Sequence, residues 1–429
     1  MGGMFETIRN AWKIPDLRRK MFITLMMLLV FRLGSHVPVP GMDPEQLKQL
    51  AGSGTIFGFF DIVSGGAFSQ ATIFAMSITP YINSSIIMQL LTVAIPKLEQ
   101  LAKEGEEGRK IIARYTRYGT VILAFLQATG LYFGLRGAVL EPGIFSFLTI
   151  TLSFTAGTAF LMWLGEQITE YGIGNGISLL IFGGIVSRAP QGAWAIYYNY
   201  QMGKFGSKGI LGILGVTAVL ALFLLVIALV VWIQEAERRI PVQYAKRVVG
   251  RKMYGGQSTH IPIKVNLAGV IPIIFAMSFV ALPSTLVSFF APTATGPVLD
   301  YIRNMQRRVE ISVLSGFLVM FFTFFYTLIQ FNPIELANNM KKNGGFIPGI
   351  RPGKPTSDYI TKVLNRITWF SAIFLALIQV FPAVLGAVTK IDGVWFAGTS
   401  ALILVGVALD TVKQVESQML MRHYKGFLE

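Results

Sequence analysis

Residues 210–233 read ILGILGVTAVLALFLLVIALVVWI, an uninterrupted apolar run with no charged side chain. A helix needs about 20 apolar residues to cross the hydrocarbon core of a bilayer, so this run reads as a transmembrane helix. Outward from it the pattern repeats, and apolar runs near 21–40, 72–95, 115–135, 146–165, 176–190, 210–233, 267–290, 311–331, 367–387 and 394–412 predict ten spans. Composition agrees: the chain is 53% hydrophobic and 14% charged, with a mean hydropathy of +0.58, whereas soluble domains carry roughly 25% charged residues. The first run is short. Met21 to Phe31 follows Arg18, Arg19 and Lys20 and meets Arg32 before Pro38 and Pro40, a layout like that of a signal peptide. No small-x-small cleavage site follows and nine more spans do, so it is expected to be an uncleaved first helix.

The net charge of +15 suits either nucleic-acid binding or basic cytoplasmic loops, and where the charges lie decides. Placing the N-terminus in the cytoplasm puts most of the 37 Lys and Arg residues on that side: the stretches Arg9–Lys20, Lys97–Arg117, Arg238–Lys264, Lys341–Arg366 and Lys413–Lys425. The bias predicts both termini in the cytoplasm and an even number of spans. The expected layout is an N-terminal half 1–190 with spans one to five, an outer connection plus span six at 191–233, and a basic cytoplasmic loop at 234–264. Spans seven and eight follow at 265–331, a second basic loop at 332–366, and spans nine and ten with a cytoplasmic tail at 367–429.

Three connections are more than turns. Within 33–71, the stretch Ile56 to Phe68 is apolar but interrupted by Asp61 and by Gly65-Gly66. It is too short to cross, so it should be re-entrant or lie at the outer interface, where irregular backbone survives only against protein or water. In 234–264, Ile240, Val242, Tyr244 and later Ile261, Ile263 alternate around Gly250 and Gly255-Gly256, as a β-hairpin does. In 332–362, Gly344-Gly345, Pro348-Gly349 and Pro352-Gly353 make an ordered turn cluster with Arg351 near its tip. The dense positive charge of the latter two serves topology, or docks an anionic partner, either acidic protein or RNA phosphate.

Enzymatic chemistry finds little footing. There is no cysteine, and His36, His260 and His423 sit far apart in expected connecting segments, a poor basis for a zinc site, which needs three or four convergent ligands. Gly349 to Lys354 lacks the first glycine of a phosphate loop, and Pro355 stands where a Ser or Thr should bind magnesium. No cofactor is expected. Ionisable residues are sparse in the spans: Glu166 and Asp410 sit at ends, and none has an acidic residue at its middle, where a proton- or sodium-coupled transporter usually needs one. An intramembrane protease would need paired aspartates, a Ser–His pair or a zinc motif. The span middles carry isoleucine instead: Ile78 and Ile82, Ile181 and Ile185, Ile274, Ile403. Members of each pair are four apart and share a helical face. Ordinary packing and a shared pore both remain open on spacing alone, as do a channel, an inverted-repeat secondary transporter and an intramembrane enzyme.

Several stretches together resemble the SecY family, the central subunits of the bacterial Sec translocon and relatives of Sec61 alpha. They are Val30-Phe-Arg-Leu-Gly34 with Pro38-Val-Pro-Gly41, Ile78-Thr-Pro-Tyr-Ile-Asn-Ser-Ser-Ile-Ile-Met-Gln-Leu90, Tyr171-Gly-Ile-Gly-Asn-Gly-Ile-Ser178, Arg239-Ile-Pro-Val-Gln-Tyr-Ala-Lys-Arg247, Gln257-Ser-Thr-His-Ile-Pro-Ile-Lys-Val-Asn266, Phe346-Ile-Pro-Gly-Ile-Arg-Pro-Gly353 and Gly398-Thr-Ser400. They run in order over essentially the whole chain.

The resemblance implies an all-α membrane protein of the bacterial plasma membrane, with ten transmembrane helices in two pseudo-symmetric inverted halves around an hourglass pore. It implies a protein-conducting channel, not an enzyme, that passes unfolded preproteins and releases their signal peptides and apolar segments into the lipid bilayer. The pore ring would be Ile78, Ile82, Ile181, Ile185, Ile274 and Ile403. The plug would span about 57–69, with Phe57, Phe60, Asp61, Gly65 and Gly66. A lateral gate between spans two and three and spans seven and eight would carry Ser84, Ser85, Gln89, Gln127 and Ser278, bonded across it. Arg247, Arg251 and Arg351 would dock the SecA motor ATPase or a ribosome, and small SecE and SecG subunits are implied partners. The physics suits such a pore, because an aliphatic ring packs non-directionally around any chain, and when empty it dewets and blocks ions.

Overall fold

Proline sets where several helices begin, because its missing N–H is harmless in a first turn and disruptive further in. The computed structural model describes residues 4–51, 64–203, 210–244, 247–249, 252–254, 258–290, 296–303, 305, 309–389 and 399–425. Helices α1 (Met4–Lys13), α2 (Pro15–Gly34) and α3 (Pro44–Ala51) lead to α4 (Thr79–Ala94), α5 (Pro96–Lys103) and α6 (Glu106–Gly134). Then come α7 (Ile144–Tyr171), α8 (Gly176–Ser187), α9 (Ala189–Gln201) and α10 (Ile210–Glu235). Strands β1 (Glu237–Tyr244), β2 (Arg247–Val249), β3 (Lys252–Tyr254) and β4 (Ser258–Lys264) precede α11 (Ile271–Phe290), α12 (Pro297–Arg303), α13 (Val309–Gln330) and α14 (Pro333–Lys342). The chain ends with β5 (Gly345–Phe346), α15 (Lys354–Thr389) and α16 (Thr399–Lys425). Among the described residues, four segments are long and apolar enough to cross a membrane by length and composition: Ile144–Tyr171, Gly212–Glu235, Glu310–Lys342 and Lys354–Val384.

The chain divides into two units. The first comprises Met1–Tyr198, Ser278–Ile311 and Val407–Glu429; the second comprises Asn199–Met277 and Ser312–Gly406. In the first, α4 packs on α6, α6 on α7, and α7 on α8. Its core joins Phe68, Ala75 and Met76 to Ala124 and Ala128 of α6 and to Ile150 and Phe154 of α7. The Gly172-Ile-Gly174-Asn-Gly176 stretch separates α7 from α8. Gly174 takes a φ of +90°, and Asn175 caps α8 by accepting from the Ser178 amide at 3.1 Å.

Span two does not start at 72 as its apolarity suggested: residues 64–78 form turns, and the helix begins at Thr79. The reason is local. Pro80 cannot donate to residue 76 and its ring crowds that carbonyl, so the first turn of a helix is the position that suits it. Upstream, Ile73 donates to the Val37 carbonyl and Val39 to the Ala71 carbonyl, and Ala71 and Ser77 both take positive φ. The connection around 191–209 also holds more structure than expected, since α9 occupies much of it. His423 lies in α16, not in a connecting segment.

The second unit carries the expected hairpin. β1 pairs antiparallel with β4, Ile240 opposite Ile261 and Val242 opposite Thr259, and β2 pairs with β3 beyond them. Ile240 and Val242 are buried while Glu237, Arg238 and Arg239 are exposed. The 332–366 loop is more regular than its glycines and prolines suggested. It contains α14, capped by Asn332 through the Ile334 and Glu335 amides, then β5, and its last residues already belong to α15.

Candidate functional site

Strand β5 joins the two basic connections, because it adds to the far edge of β1 and makes the sheet order β4-β1-β5. Gln243 lies opposite Phe346, and Tyr244 opposite Gly345. A Cβ on Gly345 would come within 2.9 Å of the Tyr244 ring, so glycine lets the strand and the aromatic meet. Beneath the sheet, Ile240, Val242 and Ile263 pack with Met340, Ile347, Ile360 and Leu364. This apolar floor draws on α14, β5 and α15 as well as the hairpin, so the two connections form one body. After β5 the chain turns through Gly349 (φ +82°) and Gly353 (φ +102°). Between them Arg351 is exposed, and its carbonyl accepts from Thr356 Oγ at 2.9 Å. Arg238, Lys264, Lys341, Lys342 and Lys354 are exposed on the same body, a surface suited to an anionic partner. Arg247 lies on β2; Arg251 lies outside the described residues.

The second candidate region is the non-helical backbone of the first unit, the stretch expected to be re-entrant. Phe57, Phe60 and Asp61 lie outside the described residues. From Ser64 to Ile78 the chain is almost wholly buried, which irregular backbone at membrane depth requires. Phe74 stacks between Phe31 of α2 and Phe160 of α7, with centroids 6.1 and 6.0 Å apart. Gly157 of α7 has no side chain to block the Ile73 carbonyl that packs against it. Gly65 and Gly66 take φ of +68° and +91°. Gly65 is gripped: its carbonyl accepts from Arg32 Nη1 at 3.3 Å, and a Cβ there would come within 2.9 Å of the Gly184 backbone in α8. Gly66 has open space. Sequence reasoning took Arg32 only as the end of an apolar run and missed this bond; a cation inside a span was the available signal.

The isoleucines are distributed as follows. Ile78 is the residue that caps α4, and Ile82 donates to its carbonyl one turn on. Ile181 and Ile185 are buried on α8, Ile403 is buried on α16, and Ile274 is half-buried on α11. Ile274 and Ile403 belong to the second unit, the other four to the first.

Of the gate residues, Ser84 is buried and its hydroxyl donates to the Thr116 carbonyl of α6 at 2.8 Å. That bond ties α4 to α6. Gln89 reaches Ser85 on its own helix. Gln127 Oε1 is buried with no hydrogen-bond partner among the described residues, and Ser278 is half-buried on α11. Arg117, read as topology signal, donates to Glu166 at 2.7 Å and links α6 to α7.

Comparison with known proteins bears on the family and the fold. The sequence pattern of the SecY family covers residues 72–412. The protein translocase subunit SecY of Halalkalibacterium halodurans is 46% identical over 437 residues, which cover 99% of this chain and 100% of the relative. The fold is similar to that of a solved protein conducting channel, with a TM-score of 0.64 at 19% identity over 94% of this chain and 92% of the other. It is also similar to Sec61 in the canine ribosome-channel complex from the endoplasmic reticulum, with a TM-score of 0.59 at 17% identity and the same coverage. By the extent of these matches, the chain belongs to the SecY family.

Proposed function

We propose that this chain is the protein-conducting channel of a plasma-membrane translocase, passing unfolded secretory chains and releasing apolar segments into lipid. The observation that carries the reading is the full-length similarity to translocase subunits, on a fold shared with a protein conducting channel. The buried non-helical backbone at 64–78 suits it, since such backbone persists in a membrane only where protein encloses it. A coupled secondary transporter is not favoured by spans without mid-membrane acids.

In this reading ten spans form two inverted halves, with both termini cytoplasmic and 234–264 and 332–366 facing the cytosol. Ile78, Ile82, Ile181, Ile185, Ile274 and Ile403 constrict the pore, and the segment at about 57–69 plugs it, held through Gly65. The basic body around Arg351 receives the SecA motor or a ribosome, and small SecE and SecG subunits complete the assembly. In lateral release α4 and α6 move together, packed closely where Gly119 meets Ser84. The test is site-specific cross-linking from Ile82 or Ile185 to an arrested secretory chain. Adducts support the channel; their absence, with proton- or sodium-driven solute uptake by the purified protein, favours the transporter.

A further inference from the structure

Helix α9 turns an aromatic face outward. Residues Ala189–Gln201 hold no charged side chain, and the exposed positions include Trp194, Tyr197 and Tyr198, at 68%, 53% and 53%. These three recur at i, i+3 and i+4 and so form one face. Gly192 and Asn199 are the buried positions of this helix, and Gln191 and Gln201 are exposed with the rings. A helix that bordered water would turn its apolar stripe inward and its polar residues out. The exposed rings of Trp194 and Tyr197 lie 5.5 Å apart.

Position in the chain narrows what this face meets. α9 starts just after α8 ends, with Pro190 in its first turn, and the apolar run of α10 begins at residue 210. The helix is therefore tethered at both ends to segments read as spans. At about 1.5 Å per residue it extends roughly 20 Å, and unlike the apolar α8 it carries Gln191, Asn199 and Gln201, which suit it poorly to the hydrocarbon core. Trp and Tyr are the side chains that favour the headgroup level, where an apolar ring and a polar edge are both satisfied. Arg188 precedes the helix, and Lys204 and Lys208 follow it; these are cations suited to lipid phosphates.

We propose that α9 is an interfacial helix whose Trp194, Tyr197 and Tyr198 insert at the boundary between lipid headgroups and acyl chains, anchoring the connection between spans five and six to the bilayer. Only the choice of leaflet, the outer one, rests on the topology proposed above. The helix lies on the membrane without spanning it, as interfacial helices do.

The natural absence of cysteine makes the test direct. Single-cysteine variants W194C, Y197C and Y198C are labelled with a nitroxide and placed in phosphatidylethanolamine–phosphatidylglycerol vesicles. Depth is read from collision with oxygen against a water-soluble nickel chelate, with L224C in α10 as the hydrocarbon standard. All three α9 labels are expected about 5–10 Å below the phosphates, shallower than residue 224. Water-like access to nickel overturns the proposal, and so does shielding from both reagents, which would mean a protein partner covers the face. Thiol labelling of Q201C in intact cells with an impermeant reagent settles the leaflet separately. Labelling only from the cytoplasmic side sinks the topology while leaving the depth result standing.

Discussion

Arg32 Nη1 donates to the Gly65 carbonyl at 3.3 Å, tying the end of α2 to the base of the proposed plug across 33 residues of chain. Ser187 Oγ lies 3.4 Å from the same carbonyl but only 2.7 Å from the Gly184 carbonyl. A hydroxyl has one proton, and the shorter partner takes it, so Arg32 is the principal donor to Gly65. A charge-assisted bond contributes about 1.5–3 kcal/mol against about 1 for a neutral one. Arg32→Gln is therefore expected to weaken the grip by about 1 kcal/mol, roughly a fivefold rise in the released state. Single-channel conductance in planar bilayers reads this as more frequent openings; an unchanged open probability counts against Gly65 as the plug's anchor.

The two adjacent glycines should respond differently to the same change. Both are in the left-handed region, which costs a residue with a Cβ about 1–2 kcal/mol. Only Gly65 also meets backbone, with Gly184 at 2.9 Å, whereas Gly66 faces open space. Thermal unfolding in detergent should show Gly65→Ala lowering Tm more than Gly66→Ala. Equal shifts would mean that α8 does not hold this segment.

Ser84 and Gly119 mark the close approach of α4 and α6, where a Cβ on Gly119 would come within 2.5 Å of the Ser84 hydroxyl. Interhelical hydrogen bonds in membranes average about 0.6 kcal/mol, so Ser84→Ala should cost little and leave signal-peptide insertion within about twofold. Gly119→Val overpacks the crossing and should cost about 1–3 kcal/mol. Unfolding in mixed detergent micelles reads both. A large insertion defect in Ser84→Ala with little loss of stability would mean that Ser84 acts in the gate beyond joining these two helices.

Arg351 is exposed, so Arg351→Glu should change stability by less than about 0.5 kcal/mol while abolishing motor-driven export into membrane vesicles. Unimpaired export refutes its role in docking. Gly345→Val attacks the same body from inside, by pushing the Tyr244 ring away and opening the β1–β5 pairing. It is expected to impair export and to raise hydrogen exchange at the β1 amide that faces β5, while the neighbouring β1 amides that face β4 stay protected; export loss without faster exchange would separate docking from the sheet.

Local pattern by itself determined that this is a membrane chain. The long uncharged runs, the basic connections, the alternation in β1 and β4, and the glycine break before α8 are all read within a few residues, because the solvent and the backbone act on each segment separately. Pro80 carried the start of α4 equally locally, although apolarity masked it. Only the tertiary structure decided what each polar group meets. Arg32 finds Gly65, Ser84 finds Thr116, Arg117 finds Glu166, and β5 finds β1 about a hundred residues away. The Ser84 pairing satisfies a buried hydroxyl, whereas the Arg117 pairing is exposed. Which partner each group finds depends on packing between distant segments, and no periodicity records it.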